Sequence, residues 1–406
     1  MPHHIKAARH QGVSWILSTT FRQRLAVVFA LSLLPTQVTQ AALSLVQIAP
    51  MSGPVAVEAR KYNAGLRLAI DARNARGGIR GEHVELVTHD DSYDPKTNAA
   101  LFEKAAKSNA LAVLLPIGSP AMSHLLAQKL PASLAMPIIG VIPGAEPFRT
   151  PGSPFVFHVR AGDTDQYETM VRHAATIGMQ RFAVAYADIP FGRAALSTLS
   201  SAIARRHLNL ASSEAIPLNA LDQFPTIVAR LAEVRADVIY LVTPAETAAH
   251  FVAEYRRQRV NAMIALPSYG TAETLCAIAG KEAAYGVVIA QVMPNMNNSA
   301  IEVARNFQKD FAQFSAAETQ PTVMQFEAYL TAQVVFEALD RAGPHVTRQA
   351  LVNAIEALSS VDIGGFKVHY SHVDHTGSDF VDISIVGKGA SSFTESPSPA
   401  LLSTSL

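Results

Sequence analysis

Short apolar runs alternate with longer runs of helical spacing along most of the chain, and this alternation limits the possible folds more than any other feature. The pattern predicts a strand at Val84–Asp90 and a helix that begins after it, with Asp94 as the N-cap and Pro95 in the first turn. Repeated strand–helix units of this kind are typical of βαβ units and a parallel sheet. The chain is also long enough, at 406 residues, to bury two ordinary cores.

The alternation falls into two sets, divided by the proline- and glycine-rich segment at residues 148–155. Two α/β sets in one chain predict two lobes with a cleft between them. No internal sequence repeat is strong enough to indicate duplication. The predicted strands of the first set are 43–48, 84–90, 112–117 and 136–142. Those of the second set are 182–188, 210–218, 236–243, 263–268, 285–292, 366–370 and 380–387.

The first residues have the order of a secretory signal peptide: basic residues, then the apolar run Leu25–Leu34, then small residues up to Ala41. Ten apolar residues are too few to span a bilayer. We therefore expect a signal peptide at 1–41 and a mature chain that is periplasmic and not anchored to a membrane. Cleavage would remove four basic and no acidic side chains and change the formal net charge from zero to −4, which argues against a nucleic-acid partner.

The motifs of common enzymes are missing. There is no G-x-G-x-x-G after a first strand, no phosphate-binding loop and no G-x-S-x-G elbow. His369, His372 and His375 stand three apart in a predicted hairpin without acid or cysteine partners, and Cys276 is the only cysteine. The sequence therefore predicts no enzyme, no metal site and no cofactor. A secreted hydrolase would need a nucleophile and a base that the sequence does not assemble.

The stretch Val113–Ala127 passes from an apolar run through Gly118-Ser119-Pro120 into a helical pattern. Ser119 is expected to cap this helix with its hydroxyl, and Pro120 suits the first helical position. Two interpretations stay open from these residues alone. The segment is either an ordinary helix start or the carboxyl edge of a strand that faces a ligand crevice.

Five segments, in this order, resemble the type I periplasmic solute-binding proteins of branched-chain amino-acid (Leu/Ile/Val) transporters. The resemblance implies two Rossmann-like lobes joined by three hinge strands, with crossings near 157–161, 289–293 and 364–368. It implies lobe 1 at 42–158 plus 292–365, lobe 2 at 159–291 plus 366–390, and a flexible tail at 391–406. The segments are QIAPMSGPVA (47–56), NAGLRLAIDARNARGGIRG (63–81), VTHDDSYDPKTN (87–98), RFAVAYADIPFGRAAL (181–196) and FEAYLTAQVVFEAL (326–339).

The resemblance also implies ligand-binding positions in the loops that end the strands. Ser119 matches the hydroxyl that binds the ligand carboxylate, together with the N–H groups of Ala121 and Met122 at a helix start. Ala145 and Glu146 fall in the second contact loop of lobe 1. From lobe 2, Phe191 matches an aromatic cover over the ligand, Thr243 ends the next strand, and Tyr269 stands where some members place an acid for the ligand's ammonium.

Glu146 and Tyr269 depart from the usual clamp for an α-amino acid, so a standard branched-chain amino acid is a doubtful ligand. Glu146 would repel an anionic ligand unless it is paired, faces an ammonium or hydroxyl, or points to solvent. The resemblance implies a monomer that binds a small polar organic solute and delivers it to the membrane permease subunits of an ABC importer. A ligand-sensing receptor subunit of the same fold is the alternative.

Overall fold

The computed structural model describes residues 42–53, 55–150, 152–217, 220–316, 319–388 and 393–395. The expected signal peptide at 1–41 and most of the expected tail lie outside these residues. The described chain contains two large sheets, one of five strands and one of seven, and a two-stranded ribbon. This arrangement confirms the α/β fold that the strand–helix alternation predicts.

The first sheet is entirely parallel, with strand order β2-β1-β3-β4-β5. Helices follow its strands, as the βαβ pattern requires. Its strands are β1 (Leu43–Ala49), β2 (Val84–Asp90), β3 (Ala112–Leu114), β4 (Ile138–Ile139) and β5 (Val156–Phe157). The helices between them are α1 (Ala56–Ala75), α2 (Pro95–Ala106), α3 (Ser119–Ala127) and α4 (Leu130–Ser133), with a 3₁₀ turn at Glu146–Phe148.

The second sheet has five parallel strands in the order β7-β6-β8-β9-β10, extended past β10 by two antiparallel strands. Its strands are β6 (Arg181–Ala187), β7 (Asn209–Ile216), β8 (Val238–Val242), β9 (Met263–Leu266), β10 (Val288–Gln291), β13 (Asp382–Val386) and β14 (Phe393–Glu395). Its helices are α5 (Asp163–Thr176), α6 (Pro190–Arg205), α7 (Phe224–Val234), α8 (Ala245–Arg257), α9 (Ala272–Ile278) and α10 (Lys281–Ala284), with a 3₁₀ turn at Leu221–Gln223.

After β10 the chain returns to the first sheet. The returning elements are α11 (Glu302–Phe314), α12 (Val323–Arg341), α13 (Arg348–Glu356) and the ribbon of β11 (Val361–Asp362) and β12 (Lys367–Val368). Helix α12 packs on α1 so closely that a Cβ added at Gly65 would lie 2.2 Å from the Gln325 carbonyl oxygen. No helix among the described residues is long and apolar enough to cross a bilayer.

Both parallel sets share one strand order: second strand, first, third, fourth, fifth. In such a sheet the order reverses between the first and third strands, and the crevice outside the carboxyl ends at that point is where ligands bind. The reversal falls between β1 and β3 in one sheet and between β6 and β8 in the other. The fold therefore gives each sheet one such crevice.

Apolar side chains fill both faces of each sheet. Leu45 and Leu114 contribute to the core shared with α1 and α12, while Val46 and Val113 contribute to the core on the opposite face. Successive residues of one strand thus enter different cores, because side chains alternate across a sheet. Burial of a large aliphatic side chain contributes about 1.5–3 kcal/mol, so both layers of helices are held firmly on the sheets.

The start of α3 differs from the sequence-based expectation. The strand β3 ends at Leu114 rather than at residue 117, because Leu115 has φ 47° and Pro116 has no N–H to donate. Gly118, at φ 107°, precedes the helix, and no side chain caps it. Ser119 is already helical, so the prediction that its hydroxyl caps the helix is wrong, and that hydroxyl is left for another partner.

The chain passes between the sheets three times: after β5, after β10, and between β12 and β13. The resemblance implies crossings near 157–161 and 289–293; the first passage follows β5, which ends at Phe157, and the second follows β10, which ends at Gln291. The third occupies residues 369–381 instead of 364–368, because Phe366, Val368 and Tyr370 still pack in the core of the first sheet. No hairpin joins β12 to β13. The segment pairs instead with the first passage, where His158 donates its N–H to His375 and accepts from Gly377.

Candidate functional site

A cavity of about 110 Å³, here called the interlobe cavity, is lined by the carboxyl ends of strands from both sheets. Its lining is mainly apolar and aromatic. The first sheet and its helices contribute Val55, Glu58, Tyr62, Tyr93, Ile117, Gly118, Ser119, Ile142, Pro143 and Met324. The second sheet contributes Ile189, Phe191, Pro244, Ala245 and Tyr269.

Ser119 opens α3 at the wall of the interlobe cavity. Its hydroxyl has no hydrogen-bond partner among the described residues, and neither has the N–H of Ala121. The Met122 N–H, by contrast, donates to the Gly118 carbonyl at 3.3 Å. Free N–H groups at a helix start carry a partial positive charge, so this end of the cavity suits a carboxylate.

Tyr93 holds the turn before α3 in place. Its ring packs on Gly118, where an added Cβ would lie 2.8 Å from Cε2 of that ring. Both Gly118, at φ 107°, and Tyr93, at φ 64°, adopt left-handed backbone conformations. Burial raises the pKa of the Tyr93 hydroxyl above its ordinary value, so the tyrosine is neutral at physiological pH.

Phe191 and Tyr269 form the aromatic part of the wall that the second sheet supplies. Their rings meet edge to face, with centroids 5.1 Å apart and an interplanar angle of 89°. Such pairs are a favourable aromatic geometry and hold each other's orientation. Ser119, Phe191 and Tyr269, three of the residues singled out from the sequence, therefore line one cavity.

The hydroxyl of Tyr269 ties the two lobes together and uses its proton and one lone pair in doing so. It donates to Asp163 Oδ1 at 2.6 Å and accepts from the Gly144 N–H at 2.8 Å. Burial raises the pKa of Asp163, although the hydrogen bond from Tyr269 opposes that rise. Burial likewise raises the pKa of Tyr269 itself, so its hydroxyl keeps its proton and donates a hydrogen bond to Asp163.

A buried ion pair lies behind Tyr269. Arg160 contacts Glu327 at 3.3 Å, with side-chain exposures of 1% and 5%. The guanidinium also lies 4.9 Å from the centroid of the Tyr269 ring and donates to Ser268 Oγ. Tyr62 donates its hydroxyl to Glu327 Oε2 at 3.1 Å. Burial is the largest single influence on the pKa of Arg160 and lowers it, but the combined effect of Glu327, Tyr269, Tyr62 and Asp163 raises this pKa above its ordinary value.

The other residues singled out from the sequence lie apart from the described lining of the interlobe cavity. Ala121 is buried in α3, and Ala145 packs against the core on one face of the first sheet. Thr243 is buried and donates its hydroxyl to the neighbouring Pro244 carbonyl at 3.2 Å. Glu146 is exposed.

Glu146 points away from the cavity because it begins the 3₁₀ turn after β4. Its carboxylate accepts from Thr150 at 2.9 Å and from Thr164 at 3.1 Å, in a polar hollow of about 850 Å³ beside the third passage between the sheets. The sequence left open whether Glu146 faces a ligand or solvent, and in the structure its side chain is exposed to solvent.

His372 and His375 contact Glu356 at 3.1 and 3.2 Å, and the ring of His375 stacks on Phe157 with centroids 4.1 Å apart. Among the described residues, no group of three or more histidine, cysteine or acidic side chains is arranged to hold a metal ion. These histidines fix the third passage to the first sheet.

The lining also contains an acidic residue, Glu58, that was not singled out from the sequence. It lies in the first turn of α1, two residues beyond the segment QIAPMSGPVA that carries the resemblance. The sequence signal that could have identified Glu58 is an acidic residue in the first turn of the helix after β1, because the carboxyl end of β1 borders the crevice of the first sheet.

Two sheets whose parallel strands enclose a mainly apolar cavity with their carboxyl ends define the class of two-lobed α/β binding proteins. Comparison with known proteins gives the particular family. A family model described as "Periplasmic binding protein" matches residues 44–386. The chain therefore belongs to the type I periplasmic binding proteins of the branched-chain amino-acid group, as its ordered motifs predict.

Individual relatives agree with this assignment. The Leu/Ile/Val-binding protein of Escherichia coli K12 is 25% identical over 200 residues, which cover 48% of this chain and 52% of that protein. The Leucine-specific-binding protein of Salmonella typhimurium is 27% identical over 200 residues, which again cover 48% of this chain and 52% of that protein. The chain thus spans about half the length of the curated relatives it matches.

Solved structures match over more of the chain. An extracellular ligand-binding receptor from Verminephrobacter eiseniae has a TM-score of 0.81 and 29% identity, and the match covers 87% of this chain and 100% of that one. A branched-chain amino-acid ABC transporter protein from Thermus thermophilus with bound valine has a TM-score of 0.78 at 19% identity, covering 88% and 95%. This second likeness shows the fold alone, and the family is one of solute-binding proteins.

Proposed function

We propose that the protein captures a small organic solute that carries a carboxylate, holds it in the interlobe cavity, and delivers it to the permease subunits of an ABC importer. The observation that carries the proposal is the free Ser119 hydroxyl at the wall of a mainly apolar cavity, in a helix turn where the N–H of the buried Ala121 is also unpaired. A carboxylate at this position would satisfy donors that the described chain leaves without partners.

The apolar lining supports a solute with a sizeable aliphatic or aromatic body. Ile117, Ile142, Phe191 and Met324 would contact such a body, and its removal from water would supply most of the affinity. Phe191 and Ser119 come from different lobes, so a solute that touches both would favour the closed arrangement of the lobes.

The names of relatives support the same reading. Relatives named for leucine, isoleucine and valine binding match part of the chain, and a structure with 20% identity is a fatty acid ABC transporter substrate-binding protein from Thermomonospora curvata. Export to the periplasm, with removal of residues 1–41, is part of the proposal. So is a monomeric state, because the cavity is built within one chain.

A thermal-shift panel of amino acids, aliphatic acids and aromatic acids tests the proposal, since a bound solute raises the unfolding temperature with its concentration over Kd. For the best compound, Ser119→Ala and Phe191→Ala should each weaken binding by about tenfold or more, measured by calorimetric titration. Ser197→Ala, further along α6, and Phe314→Ala, at the end of α11, are the matched controls, because both residues lie outside the cavity lining. Equal affinity in the test and control variants would exclude this site.

A further inference from the structure

Glu58 is the formally charged side chain in the described lining of an otherwise apolar and hydroxyl-bearing cavity. It is half-buried, and its carboxylate makes no hydrogen bond or ion pair with any described residue. The residue before α1, Val55, has φ 56° and offers no side-chain cap. Glu58 therefore stands in the first helical turn without the reciprocal capping bond that acidic residues commonly make there.

A solute that carries only a carboxylate would leave this arrangement unbalanced. When the lobes exclude water, the Glu58 carboxylate loses hydration and faces a second negative charge in a low-dielectric space. An unpaired charge of this kind opposes binding, whereas a cation on the solute would pair with it. The charge of Glu58 thus favours solutes that carry a cationic group in addition to a carboxylate over solutes that carry a carboxylate alone.

The other acidic groups near the cavity are already engaged. Asp163 accepts from the Tyr269 hydroxyl at 2.6 Å, and Glu327 is paired with Arg160 and accepts from Tyr62. Position 269 holds a tyrosine whose hydroxyl both donates and accepts within the protein. A cationic group in the cavity therefore has one free acidic partner among the described lining residues, Glu58.

We propose that Glu58 is the specificity-determining residue of the interlobe cavity and selects zwitterionic solutes: a carboxylate at the start of α3, an apolar body, and a cationic group such as ammonium paired with Glu58. This inference rests on the proposed solute-binding function and assigns the cationic subsite to α1 of the first lobe.

Matched pairs of compounds test this inference directly, because each pair shares one apolar body and one carboxylate and differs in the amino group. The pairs are leucine with isocaproate, phenylalanine with hydrocinnamate, and ε-aminocaproate with caproate. Calorimetric titration of the full chain should give at least one pair in which the amino compound binds about tenfold or more tightly than its partner.

The variant Glu58→Gln should reduce this ratio to nearly one while the protein keeps its unfolding midpoint. Glu302→Gln is the matched control, since Glu302 is an exposed acid in the first turn of α11 and outside the lining of the interlobe cavity. The control should keep the wild-type ratio.

Two results would overturn the inference and leave the proposed function standing: deaminated compounds that bind as tightly as the amino compounds, or a ratio that Glu58→Gln leaves unchanged. If neither member of any pair binds, the proposed capture of carboxylate solutes fails as well. The two failures are therefore distinguishable in one set of titrations.

Discussion

Replacing Glu327 with glutamine should strongly destabilise the protein, because it leaves the Arg160 charge buried without an anionic partner. The side-chain exposures of the pair are 1% for Arg160 and 5% for Glu327. Breaking such a pair from one side costs about 3–5 kcal/mol. Glutamine keeps the size of the side chain and an oxygen that can accept from Tyr62, so the loss reports on charge rather than on packing.

The same helix supplies the control. Glu337 on α12 pairs with Arg341 at 2.7 Å, but their side chains are 35% and 44% exposed. An exposed pair of this kind contributes about 0–1 kcal/mol, so Glu337→Gln should be nearly neutral. Free energies of unfolding from urea titration compare the two variants under identical conditions.

The double variant Arg160→Met with Glu327→Met tests whether the loss of stability comes from the buried charge or from lost packing contacts. If the cost of Glu327→Gln arises from an uncompensated buried charge, removal of both charges should recover part of the lost stability. Equal losses for Glu327→Gln and Glu337→Gln would refute this reasoning, and so would a double variant less stable than Glu327→Gln by the full cost of a second lost charge.

Three further changes have definite expected outcomes. Gly65→Ala should destabilise the protein by about 1–3 kcal/mol or more in urea titration, because its Cβ meets the Gln325 carbonyl oxygen of α12; a neutral result would contradict the close approach of the two helices. Gly118→Ala should weaken solute binding in calorimetric titration, since the new Cβ strains a left-handed turn and displaces Tyr93; unchanged affinity would show that the turn is not needed. Burial lowers the pKa of His158 well below its ordinary value of 6.5, so the folded state rejects a proton that the unfolded chain accepts. Stability should be complete above pH 6.5 and fall as the pH drops below it, by at most about 1.4 kcal/mol per pH unit, and urea titrations of His158→Phe should show a shallower decline.

The strand–helix alternation predicted most of the fold because each parallel strand is a short apolar run with a turn after it. Val84–Asp90 and the run at 182–188 needed no tertiary information. Short strands were harder. The apolar run at 112–117 forms a strand over three residues only, because Pro116 and the left-handed Leu115 stop it. The β5 strand is two residues long and has no pattern of its own.

The site was predictable where a strand end determines it. Ser119 follows β3 and Phe191 follows β6, so the strand order places each at the crevice of its own sheet, and the shared cavity brings the two together. Glu146 could not be placed, because the 3₁₀ turn decides which way its side chain points. The Arg160–Glu327 pair joins distant parts of the chain, and sequence spacing carries no signal for such a contact.

The central claim, that a solute lies between segments from both sheets, is tested most directly by amide hydrogen exchange with and without the best-binding compound. Segment 118–122, at the start of α3, and segment 189–192, at the start of α6, should both exchange more slowly when the compound is bound. Protection of both segments together is the predicted result. Protection of only one of them, or of neither while the compound is bound, would contradict the account.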